Sequence, residues 1–285
     1  MLYWLSTFSD TIGHFTVLRY ISFRTGGAMI TALVFVLLFG PSIVAALHRG
    51  HDRPIRPTGL IVLPALLIAT LLWARLDNPY LWVVMGVALA FGLLGFHGDH
   101  RRATSQPAVS QRLRIAAAAG IALAACIALV RLGGPPTVTG LPFGKEFVVD
   151  LGWLSVVVGA VVIVAAGDVV HLADRLHRCV ARPLLIAALS FLLIAYLAGN
   201  SVFAQYLDLR HIPGAGELAV LCGAVVGAGL GFLCFNAPAT ARLMGDTGSL
   251  ALGGVLGTVA VATRHEAVLA LMTGVFVLKS PPAKG

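Results

Sequence analysis

Charge is what this sequence lacks most. Only 11% of its 285 residues are Asp, Glu, Lys or Arg, against 58% hydrophobic, and the mean hydropathy is +0.92. Soluble domains carry about a quarter charged residues, and a chain this poor in them cannot cover a compact body with polar surface. A water-soluble globular fold is therefore excluded. Cysteine is scarce as well. Cys126, Cys179, Cys222 and Cys234 form no Cys-x-x-Cys pair, which removes a disulfide framework and a cysteine zinc site from consideration; they read as small buried hydrophobes. The net charge of +8 is not gathered into a basic tract interleaved with aromatics, so no nucleic acid partner is expected. Nor does the N-terminus read as a cleavable signal. Asp10, His14 and Arg19 are mixed there with Leu2, Tyr3, Trp4, Leu5, Phe8 and Phe15, in the manner of an interfacial amphipathic helix.

What the chain has in abundance is apolar stretches of helical length. Nine are legible: Gly26–Leu47, Thr58–Trp73, Tyr80–Phe96, Leu113–Val130, Leu151–Ala166, Pro183–Ala198, Glu217–Phe235, Ser249–Ala262 and Ala267–Leu278. They predict an all-α integral membrane protein, a polytopic bundle of about nine transmembrane helices. An interfacial segment over 1–24 precedes one membrane domain over 25–279, and 280–285 form a short cytoplasmic tail. Spans two, six, eight and nine are short and need tilt or a thinned bilayer. Gly223, Gly227, Gly229 and Gly231 read as packing surfaces, because small residues let helices approach where lipid removes the hydrophobic drive.

Nine spans place 13 Lys and Arg on one side and 5 on the other, with Arg19 and Arg24 ahead of the first span. The positive-inside rule puts the 13-residue side in the cytoplasm. Polar chemistry gathers in the loops of that side. The second cytoplasmic loop carries His97, Asp99, His100, Arg101 and Arg102. The third carries Asp168, His171, Asp174, His177 and Arg178. The fourth carries Asn236, Arg242, Asp246, Thr247 and Ser249. Carboxylates beside arginines suit a divalent metal with a phosphorylated ligand; the plain alternative is solvated helix ends laced with i, i+4 ion pairs. If helical, His171, Asp174 and Arg178 share a face. Ser249 is placed to cap the helix that follows it. A transporter is the other class to weigh: a through-path would favour transport, whereas a cleft joining Asp99, Asp174 and Asp246 favours interfacial chemistry.

With these residues in view, the sequence resembles the phospho-N-acetylmuramoyl-pentapeptide transferase family, within the polyprenyl-phosphate sugar-1-phosphate transferases. The resemblance runs through Phe15–Thr31, Gly40-Pro41, Asp77-Asn78-Pro79-Tyr80, Ala215-Gly216-Glu217-Leu218 and Val226–Asn236. It is strongest over Leu243–Gly254, which contains Met244-Gly245-Asp246-Thr247-Gly248-Ser249. It implies transfer of a phospho-sugar peptide from a uridine diphosphate donor to undecaprenyl phosphate in peptidoglycan synthesis, with Mg²⁺ as cofactor and UMP released. It implies catalytic roles for Asp99, Asp174 and Asp246, metal contacts from Asp246 and Asp174, and substrate contacts from Asn236, His171, His177 and Arg102. Its partners would be undecaprenyl phosphate, the UDP-linked sugar peptide and membrane lipid, its assembly a homodimer and its place the bacterial inner membrane.

The chain departs from the family at several of these places. Gly98 stands where the family has the first of two adjacent aspartates, leaving Asp99. In the third loop Asp174 is retained, but His171 replaces an asparagine, His177 an aspartate, and Arg175 and Arg178 replace glycines. The first loop is shortened to His48–Gly59. Lys279-Ser280-Pro281-Pro282 stands where the family continues into a helix, which reads as a C-terminal truncation. Two alternatives follow: a catalytically impaired or inactive membrane paralogue with a binding or regulatory role, and a related transferase with another UDP-sugar.

Overall fold

The computed structural model describes residues 2–5, 17–48, 59–104, 110–133, 139–140, 148–149, 152–176, 181–235 and 244–278. Among them the chain is helical: α1 (Leu2–Leu5), α2 (Ile21–His48), α3 (Gly59–Trp73), α4 (Pro79–Ala103), α5 (Gln111–Gly133), α6 (Leu154–Leu176), α7 (Ala181–Gly199), α8 (Ser201–Tyr206), α9 (Gly216–Phe235), α10 (Gly245–Thr263) and α11 (Glu266–Leu278). Among the described residues the strand pairing is a two-residue antiparallel bridge between α5 and α6, joining Thr139 to Val149 and Gly140 to Val148.

Each of the nine apolar stretches falls on a helix. Seven of these helices, α2, α4, α5, α6, α7, α9 and α10, are long and apolar enough to cross a membrane. The protein is therefore a polytopic helical membrane protein. At 1.5 Å per residue the 15-residue α3 reaches only about 22 Å, short of the ~30 Å hydrocarbon core. Its surface is inverted relative to a soluble protein, with Leu38, Leu93 and Val161 exposed on the outside of the bundle.

α9 and α10 form the buried centre. α2, α3 and α7 pack around α9, while α4, α6 and the start of α3 pack around α10; α5 lies outside against α4 and α6, and α11 against α6, α7 and α10. The α2–α9 contact explains the glycines. A Cβ on Gly227 would overlap the backbone of Met29, and one on Gly223 or Gly231 would crowd Thr25 or Val36. The helices sit at a separation that only hydrogen allows.

Two ion-paired or capped ends fix how the helices alternate. At one end Arg24 of α2 donates to both carboxylate oxygens of Glu217 of α9, at 2.6 and 2.7 Å, and both side chains are buried. The backbone N–H of Arg75, just past α3, donates to the same carboxylate at 2.9 Å. Tyr3 of α1 lies under both guanidiniums, 5.0 Å from each. Asn78 caps α4 at this end, accepting from Tyr80 N–H, with Pro79 at the first helical position. Its amide also donates to Gly214 O at 2.6 Å. At the other end Gly59 N–H donates to Met244 O at 2.8 Å, joining the starts of α3 and α10. The ends thus sort into two faces as nine alternating spans require.

The structure changes one expectation about the polar loops. α4 continues to Ala103 and α6 to Leu176, so Asp99, Arg102, Asp168, His171 and Asp174 stand on the last turns of helices, not in loops. The cause is local: their side chains find partners on neighbouring helices, so helical backbone persists where the span ends. Of the N-terminal interfacial segment, residues 6–16 lie outside the described residues.

Candidate functional site

The site is built around the start of α10. Four backbone N–H groups at any helix start lack intrahelical partners. Met244, at the capping position, makes no side-chain cap. The acceptors come from other helices. Asp174 of α6 takes Met244 N–H at 3.0 Å on one oxygen and Gly245 N–H at 2.9 Å on the other. Asp99 of α4 takes Asp246 N–H at 3.1 Å on Oδ1, and Thr247 N–H at 2.9 Å with the Thr247 hydroxyl at 2.7 Å on Oδ2. Two carboxylates thus cap four successive amides, and their negative charge suits the positive end of the helix dipole. Gly245 enters the helix at φ +84°, a conformation costly for any residue with a Cβ.

Ser249 does not cap α10. The helix begins four residues earlier than the apolar pattern showed, and the Ser249 hydroxyl donates back to Gly245 O at 2.7 Å. Hydropathy could not reveal that start, because the turn Gly245–Gly248 is polar in sequence and helical only through its partners on α4 and α6.

Asp246 stands apart from the two capping carboxylates. It is buried, and Oδ1 accepts from Arg102 Nη1 of α4 at 2.7 Å. His171 Nδ1 of α6 lies 3.4 Å from the same oxygen. Behind it, His171 Nε2 is 2.6 Å from Arg114 Nη1 of α5, and Arg114 also donates to Asp168 at 3.2 Å. Arginine only donates, so Nε2 is the acceptor and the imidazole proton sits on Nδ1, toward Asp246 and the Ser249 hydroxyl. The result is a chain of groups, Asp168–Arg114–His171–Asp246–Arg102, drawn from four helices.

Of the residues expected at the site, Asp99, Arg102, His171, Asp174 and Asp246 meet at one end of the bundle. The expected common face of His171 and Asp174 holds, and both turn toward α10. The ion pairs at this end run between helices. His97 and His100 are exposed away from it, His100 stacked on Phe96 at 6.1 Å. Asn236 and His177 lie outside the described residues, as does Arg178. Arg114 was not expected at the site. It stood in the sequence only as one of two arginines opening an apolar span, and nothing in that spacing tied it to His171, 57 residues away.

Gly98 lies against the Asp246 carboxylate. A Cβ there would come 3.2 Å from Asp246 Oδ2 and, among the described residues, within 4 Å of nothing beyond that carboxylate. Gly95, one turn earlier, does the opposite: a Cβ on it would overlap the Asp246–Thr247 backbone, so α4 and α10 meet there backbone to backbone.

Among the described residues no group of three or more His, Cys, Asp or Glu side chains is arranged to hold a metal. Mg²⁺ does not require one. It keeps several waters and is commonly held by one or two carboxylates together with substrate phosphates. Asp246, a buried hard-oxygen donor beside Gly98, fits that mode; Asp174, whose two oxygens each accept one backbone amide and keep a further lone pair, is the other carboxylate expected to hold the metal.

Residues 80–264 match glycosyl transferase family 4. Over 98% of its length the chain is similar to two proteins of Rhodopseudomonas palustris, each named phospho-N-acetylmuramoyl-pentapeptide-transferase. It is 51% identical to that of strain BisB18 over 302 residues and 49% identical to that of strain BisA53 over 301, covering 84% of each.

Proposed function

The chain belongs to glycosyl transferase family 4, among the phospho-N-acetylmuramoyl-pentapeptide transferases, and from that membership we propose that it moves a phospho-sugar peptide from a UDP-linked donor to undecaprenyl phosphate. A lipid-phosphate oxygen would bond to the phosphorus bearing the sugar, and the bond from that phosphorus to UMP would break. The observation that carries the reading is the buried Asp246 carboxylate at the start of α10, with Arg102 and His171 converging on it.

Both substrates are anionic, so the site must offset charge before they can approach. Arg102 is suited to this. Its side chain is 45% exposed and reaches Asp246 through one nitrogen, which leaves its other donors for a phosphate. Arg114 is held more rigidly by Asp168 and keeps His171 in the tautomer that donates toward Asp246, fixing that carboxylate's orientation. Asp99 and Asp174 hold the α10 backbone on which Asp246 rides. Asp246 is also the residue we assign to Mg²⁺, which when bound would offset charge on the donor's phosphates. The arginine-rich end is assigned to the cytoplasm, where a water-soluble nucleotide donor would arrive, and lipid phosphate would enter sideways from the bilayer.

The test is turnover by purified protein in lipid with undecaprenyl phosphate, Mg²⁺ and the UDP-muramoyl-pentapeptide, read as UMP release together with lipid-linked product. Asp246→Asn is expected to lower turnover by about 10²–10³-fold without a change in thermal unfolding. Unchanged turnover in that variant would remove Asp246 from the chemistry. Gly98 supports a second reading. With no carboxylate opposite Asp246 and Arg102 paired to it, the chain could keep the family's fold and bind substrate with little turnover. Absence of product from folded protein that still binds the donor selects this second reading.

A further inference from the structure

A second polar cluster lies at the opposite end of the bundle from Asp246. A cavity of about 350 Å³ opens between the far ends of α4, α5, α6 and α10. Its inner wall is apolar, made by Leu129, Val130, Val156 and Val261. Its polar lining includes Arg210 and His211 from the segment after α8, Arg264 from the turn after α10, Glu266 from the start of α11, and Tyr80 from the start of α4. The proposed transfer uses none of these residues.

Three observations show what the cavity is built to receive. Arg210 and Arg264 face the same space, and neither forms a salt bridge among the described residues. They are close enough that Arg210, after burial, is the next cause holding the Arg264 guanidinium below its ordinary range, with Glu266 and Tyr80 offsetting it only in part. Two like charges at one mouth are unfavourable unless an anion sits between them. Second, Arg264 is held in the left-handed backbone region at φ 61°, unusual for a residue with a long side chain; its N–H caps α10 on Val261 O and Ala260 O. Third, Glu266 Oε2 is buried with no hydrogen-bond partner among the described residues, and an orphaned buried acceptor is costly.

We propose that this cavity binds the headgroup of an anionic phospholipid, with the phosphodiester between Arg210 and Arg264, a headgroup hydroxyl donating to Glu266, and an acyl chain along the apolar wall. The charges favour this occupant over a zwitterionic one. Two arginines and one carboxylate leave a single positive excess, which matches a phosphodiester with a neutral hydroxylated headgroup. The cavity lies at the ends of helices long enough to cross a membrane, where a lipid would reach it by lateral diffusion. Guanidinium suits phosphate through paired N–H donors.

Native mass spectrometry of the full chain in detergent, titrated with phosphatidylglycerol or with phosphatidylcholine of the same acyl chains, tests this. Wild-type protein is expected to bind phosphatidylglycerol about tenfold more tightly. Arg210→Gln and Arg264→Gln, singly and together, are expected to abolish that preference. Arg210 is exposed on a connecting segment, so its variant tests the site even where Arg264→Gln impairs folding; thermal unfolding reports which variants fold. An excess of inorganic phosphate should not displace the lipid. Displacement by phosphate, equal binding of the two lipids, or an unchanged preference in folded Arg210→Gln each overturns the proposal. None of these readouts depends on transferase turnover.

Discussion

At the scale of single residues, three aspartates that look alike in sequence have separate tasks. Asp99 and Asp174 accept backbone amides at the start of α10, whereas Asp246 accepts from Arg102 and lies against Gly98. The difference predicts distinct failures. Asp99→Ala and Asp174→Ala each orphan two buried amides and are expected to destabilise the fold by about 1–3 kcal/mol, read as a lower unfolding temperature in detergent. Asp99→Asn should fall close to Asp99→Ala, because its amide NH₂ would face an N–H donor. A variant at either position that loses turnover yet unfolds at the wild-type temperature would instead place that carboxylate in the chemistry. The sequence pointed to all three, because the stretch around Asp246 is specific and Asp99 and Asp174 lie in polar patches at span ends. It could not separate their roles, since capping of one helix by side chains 70 and 147 residues away leaves no local pattern.

At the scale of elements, the α2–α9 contact sets the tolerance of the bundle. Gly227→Val would drive a branched side chain into the Met29 backbone. It is expected to cost about 1–3 kcal/mol or more by overpacking, visible as a lower unfolding temperature, whereas Gly120→Ala, which meets nothing within 4 Å, should leave it unchanged. The same helices share the Arg24–Glu217 pair. Arg24→Met alone leaves a buried carboxylate and is expected to cost about 3–5 kcal/mol. Adding Glu217→Leu should recover most of that loss, short of about 1 kcal/mol for the Arg75 amide left without its acceptor. Failure of the second substitution to rescue would show that the pair does more than neutralise itself. Helix positions were legible here because apolar length is a strong signal in a chain with so little charge. Helix ends were not, and α4, α6 and α10 all extend past their apolar runs where polar side chains are tied to neighbours.

At the scale of the whole molecule, the two ends are chemically distinct. One carries the Asp246 cluster, the other the Arg24–Glu217 pair and the Arg210–Arg264 cavity. If the arginine-rich end faces the cytoplasm, an impermeant maleimide added to intact spheroplasts should label a cysteine placed at exposed Tyr206. It should label one placed at exposed Ser110 only after permeabilisation. The reverse pattern would invert the topology and separate the site from a cytoplasmic donor. Sidedness is the property read from charge counts alone. The contacts among helix ends fix which ends lie together, and labelling fixes which compartment they face.

The Arg24–Glu217 pair also bears on how the protein is made. Its partners are separated by 193 residues, and a ribosome adds about 5–20 residues per second. The first span therefore leaves the translocon roughly 10–40 s before its countercharge has been synthesised. During that interval Arg24 lacks its carboxylate, and from the first turn of α2 its side chain can reach the aqueous boundary until α9 arrives and covers the guanidinium. Burial of this charge is therefore a late step of assembly: the first span gains its countercharge only when the seventh is made.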